Sequence, residues 1–154
     1  MMSKRIKYIV ILISLGFIGI YCDNQQIVAG DKMSNSEKYE LKIIMGDKVI
    51  EAVLDDNPTS RDFISLLPLD LELEDYANTE KISYLDRKLS TESAPSGTSA
   101  KIGDITYFAP WGNLAIFYKD FGYASSLIKF GEITSGVDLL KTPGSLNVRI
   151  ELVQ

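Results

Sequence analysis

Seven aromatic rings fall within 17 positions: Tyr107, Phe108, Trp111, Phe117, Tyr118, Phe121 and Tyr123. Rings at that density build a core, a groove for an apolar ligand, or both. Trp111 differs from the rest because it sits in a turn between Pro110 and Gly112, where a large ring projects beyond the sheet and can line a groove. Asn113 beside it either serves a ligand through its amide or closes the turn. Arg87, next to Lys88, either reaches a carboxylate or peptide carbonyl or is an ordinary surface cation. Strands joined by the turn lie side by side. The expectation is therefore that Arg87, Tyr107, Trp111, Asn113 and Tyr118 border one concave patch, with residues 90–100 at its rim, and that it takes a small molecule or an extended peptide.

Other chemistries are excluded by composition. The 154 residues include no histidine, which removes Ser-His-Asp, Cys-His and His-metal mechanisms together with the usual neutral-pH general base. The only cysteine, Cys22, cannot form an intramolecular disulfide, a thiolate metal site or a CxxC pair by itself. Asp70, Glu72 and Glu74 alternate with leucines, and carboxylates two apart on a strand stand about 7 Å from one another. Without further ligands they read as a solvated sheet face and not as a metal site. No catalytic residue, metal or cofactor is implied. With 16 basic and 21 acidic side chains the net charge is −5, the wrong sign for tracking phosphate backbones, so nucleic acid is not an expected partner.

The first 22 residues, MMSKRIKYIVILISLGFIGIYC, place Lys4, Arg5 and Lys7 ahead of 14 uncharged, mostly apolar residues, Tyr8 to Tyr21. This is the pattern of an export signal. A spanning helix needs roughly 17 to 25 apolar residues, so the run is short for a permanent anchor. Cys22 closes the run just before the polar tract DNQQ, which resembles the lipobox of bacterial lipoproteins, with Gly19 and Tyr21 departing from the usual residues. The resemblance implies lipidation at Cys22, export, and attachment to the cell envelope by lipid or by the signal segment itself. Residues 23–38 are polar, lack periodicity and read as a tether.

From Tyr39 onward the pattern is that of one domain, residues 39–154. Period-two alternation in 39–45 and 48–54 around Gly46-Asp47 predicts a hairpin. Asn57-Pro58-Thr59 predicts a helix start, and Pro68 ends the apolar stripe that follows. Strands are expected at Leu69–Glu74, Asp104–Ala109, Leu114–Lys119, Leu127–Ile133 and Leu146–Val153, with a second short helix at Val137–Lys141. Residues 90–100, STESAPSGTSA, read as a flexible loop. Seven or eight short strands with two short helices make a mainly β chain whose sheet closes, or nearly closes, into a barrel. Ile43, Ile50, Leu54, Phe63, Leu66, Ile105, Ile116, Ile128 and Ile150 are the expected core.

GDITYFAPWGNLAIFYKDFG (103–122) and LIKFGEITSGVDLLK (127–141), with the hairpin KIIMGDKVIEAVLDDNPTSRDFISLLPL and the segment LEDYANTEKISYL, resemble the bacterial cyclophilin-like proteins. The likeness covers roughly residues 39–154 and implies a small cyclophilin-like barrel with a groove. True cyclophilins are peptidyl-prolyl isomerases whose groove sets an arginine beside Phe, Met, Gln, Trp and His. Here Leu127 stands where the segment before FGEI would offer the histidine, and no FHR-like or MQGGD-like segment supplies the arginine and glutamine. The aromatic cluster and the missing isomerase residues together point to a binding module, with a weak prolyl isomerase and a scaffold without a pocket as alternatives.

Overall fold

The structure, a computed structural model, describes residues 38–153; the expected signal, Cys22 and the tether up to residue 37 lie outside the described residues, and Lys38, the expected last tether residue, opens the first strand. Alternating apolar and charged residues form β1 (Lys38–Met45) and β2 (Lys48–Asp55), which pair antiparallel with Met45 opposite Lys48. That register leaves a two-residue turn, and Gly46 takes the φ of +61° that the turn requires. In α1 (Pro58–Ile64), proline occupies the first turn and the Asn57 side chain accepts the Ser60 N–H at 2.9 Å, a capped start. The helix sends Phe63 into the barrel, edge-on to Phe130 at 5.4 Å between centroids. Among the described residues no helix is long and apolar enough to cross a membrane.

The remaining strands are β3 (Leu69–Tyr76), β4 (Glu80–Tyr84), β5 (Gly97–Ala100), β6 (Asp104–Phe108), β7 (Asn113–Phe117), β8 (Phe121–Ser125), β9 (Leu127–Ser135) and β10 (Leu146–Leu152). Eight of the ten close into a barrel in the order β1-β10-β3-β4-β7-β6-β9-β2, while β5 and β8 form a separate two-stranded sheet. Every neighbouring pair is antiparallel. Closure leaves the barrel no open edge for unwanted strand pairing. Gly131 lets β9 approach β2: a Cβ there would sit 2.6 Å from the Val53 carbonyl oxygen and 2.4 Å from Leu54 Cδ2.

The barrel is filled by Ile43, Ile50, Leu54, Ile105, Ile116, Ile128 and Ile150 with Phe63 at its end, all buried as expected; Leu66, just past the helix, is only half-buried. The second expected short helix, Val137–Lys141, is a 3-10 helix, so there is one α-helix among the described residues. Its bonds run three residues back, Leu139 N–H to Gly136 and Thr142 N–H to Leu139. Pro143 disfavours helical backbone at Thr142, so the segment stops before an α-turn can propagate.

One cation is sealed inside. Lys81 of β4 is 0% exposed, and its ammonium meets Asp75 at 2.9 Å and donates to the Thr142 and Gly144 carbonyls at 2.8 and 2.6 Å. Asp75 also accepts the Tyr118 hydroxyl and the Gly144 N–H, each at 2.9 Å. Burial works against its charge, but these hydrogen bonds hold its carboxyl below the ordinary value. The network ties the segment between the 3-10 helix and β10 to β3 and β4.

Candidate functional site

A strand that is apolar on both faces must be covered on both faces. In β7, Leu114 and Ile116 face the barrel interior, so Asn113, Ala115 and Phe117 face out, and all five are buried. The cover is the β5–β8 sheet: Ile82, Ala100, Ala115, Phe117 and Leu127 form a second apolar cluster joined by Phe108 and Ala124. Gly97 lets β5 come close to β8 within that sheet, since a Cβ there would lie 2.3 Å from the Ala124 carbonyl oxygen. Residues 97–100, expected as loop, are thus a strand, with Ala100 wholly buried.

Where the cover ends, a cavity of about 220 Å³ opens onto the surface. Ala115, Phe117 and Leu127 are its buried parts, while Tyr76, Phe108, Trp111, Phe121 and Ala124 rise around them. Trp111 enters from the turn after β6, whose Gly112 has φ +73° and donates its N–H to the Phe108 carbonyl at 2.9 Å. The indole is 46% exposed and meets Tyr76 and Phe108 edge-to-face.

The other two lining residues are polar, Glu80 and Asn113. Burial alone pushes the Glu80 carboxyl up from 4.5 to about 7, because a low-dielectric surrounding disfavours its charged form. Asn113 is 2% exposed; its Nδ2 donates to the Leu114 carbonyl at 3.2 Å and its Oδ1, buried, has no donor. Flipping the amide would set oxygen against oxygen, so the free atom is the acceptor. A buried acceptor without a donor costs about 1 to 3 kcal/mol.

Of the five residues expected at one patch, the structure brings Trp111 and Asn113 together and places the other three elsewhere. Tyr107 is 0% exposed in the barrel core, its hydroxyl accepting the Leu89 N–H at 3.1 Å. The strand's alternation turns Phe108, not Tyr107, to the cavity. Tyr118 is buried against Asp75; burial first, then that hydrogen bond, pushes its phenol up to about 12. Arg87 is exposed and fastens its loop to α1, donating to the Asp62 carboxylate at 2.6 Å and to Ser65 Oγ at 2.7 Å. Residues 90–100 do not line the cavity themselves; they back it through Thr98 paired with Ala124 and Ala100 paired with Phe121.

Sequence reasoning missed Glu80 and Tyr76. Tyr76 closes β3 directly opposite Glu80 of β4, which in turn pairs with Phe117. The available signal was Ile82 set between Glu80 and Tyr84: an apolar residue on a face otherwise polar marks a strand covered there by something else.

Comparison with known proteins agrees with this architecture. The model of the Cyclophilin-like family matches residues 43–151. The solution structure of a hypothetical protein from Archaeoglobus fulgidus is similar, with a TM-score of 0.59 and 18% identity, covering 75% of this chain and 95% of that one. At that identity the likeness speaks for the fold alone. No curated protein matches the chain.

Proposed function

This chain belongs to the cyclophilin-like family, and on that premise we propose that it is an exported, envelope-tethered binding module that holds a small ligand or extended peptide in the outer-face cavity without catalysis. The observation that carries the reading is the cavity itself: aromatic rings of four strands and the exposed Trp111 stand around an apolar floor of Ala115 and Leu127. A surface built only for packing has no reason to keep such a hollow beside an exposed tryptophan. The scaffold alternative leaves both features without a purpose.

Prolyl isomerisation needs a cation or donor near the twisted amide. No Lys or Arg lines the cavity among the described residues, and the arginine, glutamine and histidine of the cyclophilin groove have no counterpart in this sequence, so the isomerase activity of cyclophilins is not carried over. A proline-peptide exchange assay with inhibitor controls tests this part: acceleration of cis/trans exchange would replace binding by catalysis. Export and tethering are supported by the basic start, the apolar run and Cys22. Radiolabelled lipid should enter the wild-type protein in cells and not Cys22→Ala, whose processing should change. Failure of the label to enter the wild type would remove the lipid anchor and leave the cavity reading untouched.

A further inference from the structure

The cavity is chemically one-sided. It carries one carboxyl group, and no basic side chain lines it among the described residues. Trp111 meets Tyr76 and Phe108 at centroid separations of 5.5 and 5.4 Å and interplanar angles of 86° and 84°. Rings at right angles form a corner rather than a stack, and a corner of aromatic walls attracts a desolvated cation through the negative ring faces. Glu80, half-buried, makes no ion pair among the described residues.

We propose that the cavity binds a protonated alkylamine, its ammonium held by Glu80 and its stem laid against Trp111, Phe108 and Tyr76. The proposal rests on the cavity being a binding site and names the class of ligand. An ammonium offers three donors and no acceptor, which complements a carboxylate. A neutral alcohol brings one donor and no charge. The space, about 220 Å³, suits a small ligand: a cavity of about 150 Å³ already accepts benzene. The same alkylammonium chemistry belongs to a free amine and to the lysyl side chain of a peptide.

Charge on Glu80 is required, so affinity should rise as pH rises through its titration near 7. Among the charged and titratable groups of adjoining elements, Tyr76 of β3 stands opposite Glu80, Tyr118 and Lys119 follow β7, the latter with its N–H on the Thr79 carbonyl, and Asp120, just ahead of β8, is paired with Lys101 at 3.1 Å. Lys119 keeps its ammonium over the Tyr118 ring, 5.9 Å from the centroid. Lys81 and its partner Asp75 are engaged with each other at 2.9 Å. Among these groups Glu80 is the one that burial raises to about 7, so its charge sets the pH dependence at the site.

Trp111 is the only tryptophan in the chain, so its fluorescence reads the site directly in the full protein. Three probes separate the outcomes: n-butylammonium chloride, 1-butanol as neutral isostere, and Nα-acetyl-lysine N-methylamide. Butylammonium should bind saturably at pH 8, about tenfold or more tighter than butanol, and should weaken about tenfold or more by pH 5. Glu80→Gln should abolish both the preference and the pH dependence; the wild-type pH series gives the same reading with no variant to fold. Tighter binding of the lysyl compound than of butylammonium assigns a peptide source, and the reverse a free amine. Butanol binding as tightly as the amine, or amine binding flat with pH, overturns the cation proposal while leaving the cavity as a binding site. If none of the three binds yet a proline peptide does, the cation proposal alone falls; if no probe binds, both readings fall.

Discussion

Glu80 should make this protein less stable as pH rises, in a window fixed by its surroundings. Its carboxyl is raised by burial from 4.5 to about 7 in the folded chain. The folded state therefore holds a proton that the unfolded state releases, and stability must fall as pH climbs between those values. At about 1.4 kcal/mol per unit, the full shift would be worth about 3 kcal/mol. Glu80 is only half-buried, and water screens part of the effect, so we expect about 1 to 2 kcal/mol. Urea unfolding of wild type and Glu80→Gln from pH 4 to pH 8 isolates the term, because all other titrating groups are shared by both proteins. The variant should gain about 1 to 2 kcal/mol on the wild type across the series, with the gain confined to the window between the two values. A difference that stays constant with pH, or that favours the wild type at pH 8, would refute the assignment of a desolvated carboxyl at this cavity.

Ile116→Ala removes a side chain that is wholly buried in the barrel and should cost about 2 to 5 kcal/mol in urea unfolding; a loss under about 1 kcal/mol would mean that the site relaxes far more than a packed core does. Lys81→Met deletes an ammonium bonded to Asp75, Thr142 and Gly144, and breaking such a buried pair should cost about 3 to 5 kcal/mol. The same measurement checks it, and near-neutrality would show that the ion pair contributes no net stability. Trp111→Ala should weaken ligand binding by about 1 to 4 kcal/mol while stability changes less, since the indole is 46% exposed; unfolding of the variant would make it a packing residue.

The barrel was legible because its strands carry their signal locally. Ile43 and Ile50 alternate with charged neighbours around Gly46-Asp47, and Asn57-Pro58 announces the helix. The segment 80–84 was harder, because its interior side holds Lys81 and Ser83 and its exterior side holds Ile82. That inverts the usual polarity of a barrel strand. β5 was hidden for a different reason: GTSA has almost no apolar area, and its place in the fold comes from being small enough to lie on Ala124. At the site, turn chemistry alone indicated Trp111 and Asn113. Tyr107 and Phe108 are adjacent and both aromatic, so composition could not say which faces in; the register of β6 on β7, Tyr107 opposite Leu114 and Phe108 opposite Asn113, decides it. Arg87 needed the fold as well, since its partner Asp62 is 25 residues away.

The claim on which the rest depends is that the outer-face cavity is where ligand is held. Amide and indole resonances of the ¹⁵N-labelled protein, followed during titration with the butylammonium, lysyl and proline-peptide probes, test it most directly. A binding probe should shift the Trp111 indole, the Asn113 side-chain amide, and the backbone of Phe117 and Ala124, all of which line the cavity, while Tyr107 and Arg87 stay in place. Shifts clustered around Arg87 and α1, or none with any probe, would contradict it.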